Sequence, residues 1–515
     1  MESFIHQHRQ EITGVLSGFD RLLFQGVLRT LSSVAGMVDH LRVVGVLLKD
    51  FGAYVERTST ALRTALEVAA GELDRPVIYL ESAAQSKEEL ARRIQQRDGI
   101  QAGLIVVLKV VEPCLTFGIR RDRGERKLVL TAQRRKCLFY YLYWMDARFG
   151  FMHGRVQTWF PFLIRVCLNG REWLARQMDA VGLRYRRHDN CFPWIDDVPA
   201  AQRLMDEQLR LDWPTTLDGI GRQLFPHRAE LLAPYRCDYY WSTAQSEWAS
   251  DIMFRSPAAL ATRYAPLVRQ SIVTLSCRDV LRYLGKCPTL RWAGKVSGSL
   301  KQWPEGIRLK HWVKDNSIKL YDKAGVVLRV ETTINDARAF TVYRPREGDL
   351  HGPKAWRPMR KGVADLHRRA QVSQASNDRF IEALTTVDTS PTVLSALQPL
   401  TRRKRWKRRP VRALRPWSPD DQLLLGAIAQ GRFVLHGFRN RDLVHLLHGR
   451  PADPAGRRRE SARMTARLRI LRAHGLIWKI PRTHRYQLTT KGRKIVGVLQ
   501  QCYHLSLEKL AQVAA

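Results

Sequence analysis

The chain has 515 residues and a formal net charge of +38, because 86 lysines and arginines stand against only 48 acidic residues. An apolar content of 45% is typical of folded proteins, so the composition excludes an intrinsically disordered chain, and the length favours about three or four domains. Charge of one sign on this scale destabilises a compact protein unless an anionic partner neutralises it. We therefore expect a nucleic acid as the partner, either DNA or a structured RNA, ahead of a membrane surface.

A membrane partner is not expected. The most apolar run, residues 104–111, contains Lys109 and is far too short to span a bilayer. The first residues include Glu2 and Glu11 and lack the apolar core of an export signal, so we expect a cytoplasmic protein. The eight cysteines form no Cys-x-x-Cys pair, so no structural zinc is predicted. The oligomeric state stays open.

The N-terminal part changes its pattern once. Residues 1–72 are predicted to be mostly helical, because apolar side chains recur with helical spacing over residues 19–28. Then Val77–Leu80 predicts a short strand, Ser86 caps a helix, and Gly103 begins an apolar strand. A strand, a helix and a second strand in succession indicate a mixed sheet.

The middle of the chain contains a run of aromatic residues and, further on, a predicted helix and a basic loop. Residues 139–144 read FYYLYW, with Arg148 and Arg155 nearby. They would either stack on unpaired bases or form an aromatic core, and we favour the core because so contiguous a run must bury at least one face. Residues after Trp241 predict a helix that continues to Phe254, and 291–301 predict a basic loop.

Residues 317–331 predict a β-hairpin. Apolar and polar residues alternate on both sides of Lys323-Ala324-Gly325, which we expect to be a three-residue loop with the glycine left-handed. This pairing sets 321 opposite 327 and 319 opposite 329, with the polar residues on one face. That predicted face, which His311 from the preceding strand could join, holds Lys319, Tyr321, Arg329 and Glu331.

The segment NSIKLYDK followed by LRVE, within 316–331, is similar to the strand pair of rolling-circle replication initiators of the HUH class, which nick DNA through a tyrosine. The resemblance implies Tyr321 as the nucleophile, Tyr343 as a second candidate, and Glu331 as a ligand of Mg²⁺ or Mn²⁺ with His311 beside it. Those enzymes use a His-hydrophobic-His pair for the metal, and this segment has only His311. The alternative is a sheet that binds without cutting, in which Lys319 and Arg329 contact phosphates; without catalysis, no cofactor is expected.

A basic segment follows. Because adjacent like charges repel and nothing apolar is available to bury, we expect residues 401–417 to be an unfolded linker that a polyanion orders. Its predicted phosphate-binding residues are Arg402, Arg403, Lys404, Arg405, Lys407, Arg408 and Arg409.

The C-terminal module, 418–500, has a recognisable order of elements. Ser418 caps a first helix, 439–447 predict a second, and 460–474 predict a third that ends at Gly475. Two short strands with a basic tip between them and a last helix follow. The segment YQLTTKGRKIV resembles the end of the wing in the MarR-like winged helix-turn-helix family, which implies a third helix in the major groove of DNA. The residues so placed are Arg463 and Arg467 on the third helix and Arg482, His484 and Arg485 on the wing.

We therefore expect a multidomain, mixed α/β protein with a helical and mixed-sheet body and a C-terminal winged helix. The predicted boundaries are 1–72 helical, 73–215 mixed α/β, 216–300 helical, 301–400 hairpin region that handles nucleic acid, 401–417 linker and 418–500 winged helix. The expected function is nucleic-acid binding in a mobile element or replication system. The alternatives are a non-enzymatic partner of a structured RNA and a DNA-nicking or transposase-like enzyme that uses Tyr321.

Overall fold

The structure is a computed structural model with a mixed α/β fold. It describes residues 1–233, 238–273, 277–285, 296–303, 306–349, 351–385, 397–407, 409–433, 437–449, 453–481 and 483–505. Its strands are β1 Ile12–Leu28, β2 Val77–Leu80, β3 Gly103–Asp122, β4 Lys127–Asp146, β5 Gly150–Gln157, β6 Ile164–Asn169, β7 Tyr185–His188, β8 Cys191–Ile195, β9 Tyr239–Phe254, β10 Val296–Trp303, β11 Gly306–Val313, β12 Asn316–Lys323, β13 Val327–Ile334, β14 Thr341–Arg344, β15 Ala355–Pro358, β16 Lys404–Trp406, β17 Arg409–Val411, β18 Ile477–Lys479 and β19 Tyr486–Leu488. Its α-helices are α1 Glu2–Gln7, α2 Val34–Val43, α3 Phe51–Glu72, α4 Lys87–Arg97, α5 Gly170–Ala180, α6 Val198–Glu207, α7 Trp213–Leu224, α8 Arg228–Leu231, α9 Pro257–Val273, α10 Cys277–Tyr283, α11 Leu366–Leu384, α12 Pro419–Ile428, α13 Asn440–His448, α14 Pro454–Ala473 and α15 Thr490–His504.

The chain forms two compact units. The first, here called the large-sheet unit, comprises residues 15–251 and 331–374. The second, here called the C-terminal unit, comprises residues 1–14, 252–330 and 375–515. Among the described residues, none of the helices combines the length and apolarity needed to cross a bilayer.

The large-sheet unit is organised around a mixed sheet in the strand order β13-β9-β1-β6-β5-β4-β3-β2, to which β13 contributes its last residues. Strand β2 runs parallel to β3, whereas β3 to β6 and β1 pair antiparallel. The predicted strand, Ser86-capped helix and Gly103 strand are confirmed. The FYYLYW run lies within β4, where Phe139, Tyr140 and Tyr143 are buried, which confirms the core interpretation.

The N-terminal prediction was wrong in part, since residues 12–28 form a long strand instead of a helix, whereas α2 and α3 confirm the helical prediction for the rest of 1–72. Every second residue from Leu16 to Leu28 is buried, a period typical of a strand. Two glycines of β1 leave room on that face for the large side chains that pack against it. A Cβ at Gly26 would lie 2.8 Å from the Trp241 ring, and one at Gly18 would overlap Met205.

The prediction of a helical region over 216–300 was also wrong in part. Residues 239–254 form β9, and residues 296–303, which overlap the expected basic loop, form β10. Strand β9 buries Thr243, Ser246 and Ser250, whose small polar side chains carry little strand signal. Its place beside β1 in the middle of the sheet overrides local propensity.

In the C-terminal unit, β10, β11, β12 and β13 are consecutive neighbours. The hairpin of β12 and β13 is confirmed, but its loop is one residue shorter than predicted. Ala324 and Gly325 both have positive φ, and the Val326 N–H donates to the Lys323 carbonyl at 3.3 Å. Two successive left-handed residues make the tight turn that matches strand twist, so Lys323 belongs to β12.

The order of elements after residue 418 matches the prediction. Ser418 caps α12, α13 begins after Arg439, and Thr489 caps α15. Helix α14 starts earlier than expected, at Pro454, because Asp453 caps it. The ribbon of β18 and β19 lies between α14 and α15. These helices share one hydrophobic core with side chains that include Met464, Leu468, Leu471, Val496 and Leu499.

The expectation of an unfolded linker over 401–417 was wrong. Strands β16 and β17 pair antiparallel, with Trp406 opposite Arg409. Leu400 and Leu414 flank this ribbon, are joined by a backbone hydrogen bond of 3.0 Å, and belong to the core of the following helices. Apolar residues at both ends therefore anchor the basic segment as a folded strap.

Candidate metal site and nucleic-acid interface

Three carboxylates from three neighbouring strands converge in the large-sheet unit. Asp20 lies on β1, Glu247 on β9 and Glu331 on β13, and each offers an oxygen within 4.8 Å of the oxygens of the other two. Asp20 is 5% exposed and Glu331 is 1% exposed. Among the described residues, this is the one group of three or more acidic, histidine or cysteine side chains arranged closely enough to hold a metal ion.

Neighbouring groups hold these carboxylates in place. The Asn190 amide donates to both Asp20 oxygens, at 3.1 and 2.8 Å. The fully buried Arg171 lies 3.9 Å from Asp20 and forms a 3.0 Å ion pair with Asp251. Gln245 donates to Glu247 at 3.0 Å. These contacts fix the orientation of Asp20 and Glu247 within the cluster.

A cavity of about 210 Å³ adjoins Asp20 and Glu247. Arg21, Arg92 and His153 are among its other lining residues. The pKa of Arg21 is raised, first by the Cys167 sulfur and also by Glu247, so this residue is a permanent cation in the wall. Burial and nearby cations lower the pKa of His153 to about 3, so its ring is neutral at pH 7.

The spacing of the carboxylates fits a hard divalent ion. Opposite ligands of Mg²⁺ are about 4.2 Å apart, because each Mg–O bond is about 2.1 Å long. Adjacent ligands are about 3.0 Å apart, so the three oxygens, which lie within 4.8 Å of one another, would draw closer together around the ion.

The predicted polar face of the β-hairpin is not assembled as expected. Arg329 and Glu331 are 0% and 1% exposed, whereas Lys319 and Tyr321 are half-buried. Arg329 therefore lies where no phosphate can contact it in this structure, and Glu331 belongs to the carboxylate cluster instead. Strand β13 is buried along its whole length, so its charged residues lie in the interior and not on the surface.

His311 does not join Lys319 and Tyr321. It pairs across β11 and β12 with Ile318, whereas Lys319 pairs with Lys310 and Tyr321 with Arg308. Cross-strand partners share a face of the sheet, so His311 lies on the apolar face. Its Nε2 is 3.4 Å from the Ser271 hydroxyl, and burial lowers its pKa to about 4.

The folded strap presents most of its predicted cations to solvent. Lys404 is half-buried. The guanidinium carbon of Arg472 lies over the Trp406 ring, 5.4 Å from its centroid. Arg408 lies outside the described residues. The exposed members are Arg402, Arg403, Arg405, Lys407 and Arg409.

Helix α14 buries one side and exposes five arginines. Its exposed arginines are Arg457, Arg458, Arg459, Arg463 and Arg469. Arg463 pairs with Glu460 at 3.0 Å, and the half-buried Arg467 lies 3.5 Å from Asp420. In the ribbon that follows, His484 is exposed and Arg485 is half-buried, while Arg482 lies outside the described residues.

The sequence pointed to Glu331 but not to its partners in the cluster, Asp20 and Glu247. A usable signal was present at Asp20, which is a lone acid between Phe19 and Leu22 in an apolar segment. A charge in such a segment must be paired or bind an ion when the segment is buried.

Comparison of the chain with protein-family models, with curated proteins and with solved structures finds no match in any of the three.

Proposed function

We propose that this protein binds nucleic acid and that residues 418–500 act as a winged helix, with α14 as the helix that enters the major groove. The observation that carries the proposal is the set of five exposed arginines on α14, of which Arg458, Arg459, Arg463 and Arg469 lie on the side away from the buried Met464, Leu468 and Leu471. Arginine side chains on one side of a helix match the phosphates and guanine edges that line the groove.

The packing of α13 against α14 supports this assignment. Asn440, at the start of α13, donates to the Ser461 carbonyl and to the Thr465 hydroxyl, both at 2.8 Å. These bonds fix the first turn of α13 across the middle of α14, and a helix-turn-helix requires such a rigid pair. The exposed cations of the strap extend the positive surface of the same unit.

The proposal is tested by measuring the affinity of the protein for duplex DNA, single-stranded DNA and RNA as a function of salt. Sequencing the nucleic acid that co-purifies, without nuclease treatment, separates the two classes of partner. A discrete DNA site supports a mobile-element or replication role, whereas one abundant transcript supports a structured-RNA partner. Weak binding that does not respond to salt overturns the proposal.

A second candidate function is metal-dependent cleavage of phosphodiester bonds, and the convergence of Asp20, Glu247 and Glu331 favours it. Mg²⁺ or Mn²⁺ held by these carboxylates would orient a phosphate and lower the pKa of a bound water. Water would then form a bond to phosphorus while the bond to one ester oxygen breaks, and that oxygen would take up a proton. Arg21 in the cavity wall would neutralise the phosphate.

This activity is tested by incubating the protein with supercoiled and single-stranded DNA and with RNA in the presence of Mg²⁺ or Mn²⁺. Cleavage that disappears in Asp20→Asn and Glu331→Gln, and in EDTA, supports the carboxylate site. A covalent protein–DNA adduct that disappears in Tyr321→Phe but persists in Tyr343→Phe would assign the chemistry to Tyr321 as nucleophile instead.

A further inference from the structure

The strands β14 and β15 form a two-stranded ribbon in the large-sheet unit. Tyr343 stands directly opposite Trp356. Val342 and Met359 are buried on the inner side, and the Met359 N–H donates to the Phe340 carbonyl at 2.8 Å. The ribbon is therefore anchored along one side.

Arg344 makes the ribbon rigid. Its guanidinium donates to the Pro358 carbonyl at 3.0 and 2.9 Å and to the Pro345 carbonyl at 2.9 Å. This arginine is nearly fully buried, so it holds the two strands together and does not act as a surface cation. The outer side of the ribbon is thus fixed before any partner arrives.

The outer side carries two aromatic rings that the protein leaves in solvent. Tyr343 is 56% exposed and Trp356 is 72% exposed, the largest exposure among the large apolar and aromatic side chains of the described residues. The ring centroids are 5.8 Å apart, with the planes tilted by 56°. Exposed aromatic rings at adjacent positions on a rigid support mark an interaction surface.

The segment that carries the two rings is rich in positive charge. Residues 341–361 contain six lysines and arginines and only two acidic residues, Glu347 and Asp349. Arg346, Lys354 and Lys361 are exposed, while Arg360 pairs with Asp365 at 3.0 Å. Aromatic faces supply sequence-tolerant stacking, and cations beside them hold a phosphate backbone.

We propose that the Tyr343–Trp356 ribbon is a stacking platform for unpaired bases of single-stranded nucleic acid. In duplexes the faces of the bases are already stacked on each other, so the two rings discriminate in favour of single strands or frayed ends. The proposal rests on the nucleic-acid partner of the proposed function and adds to it a preference for unpaired nucleotides.

The test uses full-length protein, EDTA to prevent cleavage, and fluorescence anisotropy of a labelled oligo(dT) and of a labelled duplex. Trp356→Ala and Tyr343→Ala should each weaken oligo(dT) binding roughly 5- to 150-fold, as expected for the loss of one base–aromatic stack. Trp356→Phe should retain most of the affinity, since it keeps an aromatic face. Duplex binding should stay at its wild-type value in all three variants.

Trp194→Ala is the matched control, because Trp194 is an exposed tryptophan, 39% exposed, on β8 of the same unit. Its binding to oligo(dT) should equal that of the wild type. Equal losses on oligo(dT) and duplex in Trp356→Ala, or no loss on either, overturn the stacking platform. So does a loss of binding to anionic vesicles with oligo(dT) binding unchanged, which would assign the ribbon to a membrane surface.

The two proposals fail in distinguishable ways. A wild-type protein that binds neither oligo(dT) nor duplex removes both. A wild-type protein that binds both ligands and loses duplex affinity on substitution of the α14 arginines, but keeps oligo(dT) affinity in Trp356→Ala, removes the stacking platform alone.

Discussion

Asn190 donates its side-chain amide to both carboxylate oxygens of Asp20. Asn190 sits in the turn between β7 and β8, next to Asp189, whose φ is +52°. A small two-stranded ribbon thus fixes the orientation of a carboxylate in the central sheet. Such outer partners commonly determine how well a metal ligand is presented.

Asn190→Ala should therefore weaken Mn²⁺ binding roughly 10- to 100-fold, because Asp20 is no longer held in one orientation. Electron paramagnetic resonance of free Mn²⁺ measures this affinity. Gln202→Ala is a suitable control, because Gln202 also makes two hydrogen bonds to β1, at 2.8 and 2.9 Å, but to the backbone of Ser17. If Asn190→Ala binds Mn²⁺ as tightly as the wild type, Asn190 does not position a metal ligand.

Mn²⁺ should stabilise the protein through the carboxylate cluster. At a concentration 100 times the dissociation constant, a ligand of the folded state adds about 2.7 kcal/mol to the free energy of unfolding. Glu331→Gln should lose this gain, since it removes one of three charged ligands, while the exposed Glu207→Gln on α6 should retain it. Thermal unfolding with and without Mn²⁺ measures both, and an undiminished gain in Glu331→Gln would place the ion elsewhere.

The α14 arginines should act as phosphate contacts. Arg457→Ala and Arg458→Ala should each flatten the dependence of log affinity on log salt by roughly 0.9 for every phosphate contact removed. Arg203→Ala replaces an arginine that is also exposed, on α6, and should leave the slope unchanged. Equal effects of all three substitutions would show that the binding follows net charge and not the helix.

Local signals predicted the elements that their own residues determine. Caps at Ser86 and Ser418 located two helices, because each side chain accepts a hydrogen bond from the first turn. The turn at Ala324-Gly325 was located because glycine adopts the left-handed conformation readily, although two left-handed residues replaced the expected three-residue loop. Elements of this kind need no tertiary information.

The central sheet could not be predicted in this way. In β1, Leu23 and Val27 add apolar residues between the buried Leu22, Phe24 and Leu28, so the two-residue period is hidden and a helical spacing appears. The cluster was hidden for a related reason. Asp20, Glu247 and Glu331 are far apart in the chain, and only the strand order brings them together.

Low pH should destabilise the protein through His40. Burial lowers the pKa of this ring from 6.5 to about 4, and its Nε2 is 2.8 Å from the Tyr54 hydroxyl. Between those pH values the unfolded chain binds a proton that the folded chain does not. The free energy of unfolding should therefore fall as the pH drops from 6.5 towards 4, by at most about 1.4 kcal/mol per pH unit.

Urea unfolding at several pH values measures this effect. His40→Gln keeps a hydrogen-bonding partner for Tyr54 but cannot titrate, so its stability should fall less steeply over the same range. The other buried histidines are common to both proteins and cancel in the comparison. Identical slopes for His40→Gln and the wild type would contradict a neutral, buried His40.

The salt dependence of nucleic-acid binding tests the central claim most directly. With on the order of six to ten phosphate contacts, affinity should fall roughly 10³- to 10⁵-fold between about 50 and 200 mM salt. A flat response over that range, in protein that also purifies free of nucleic acid, would show that the charge of +38 serves another partner.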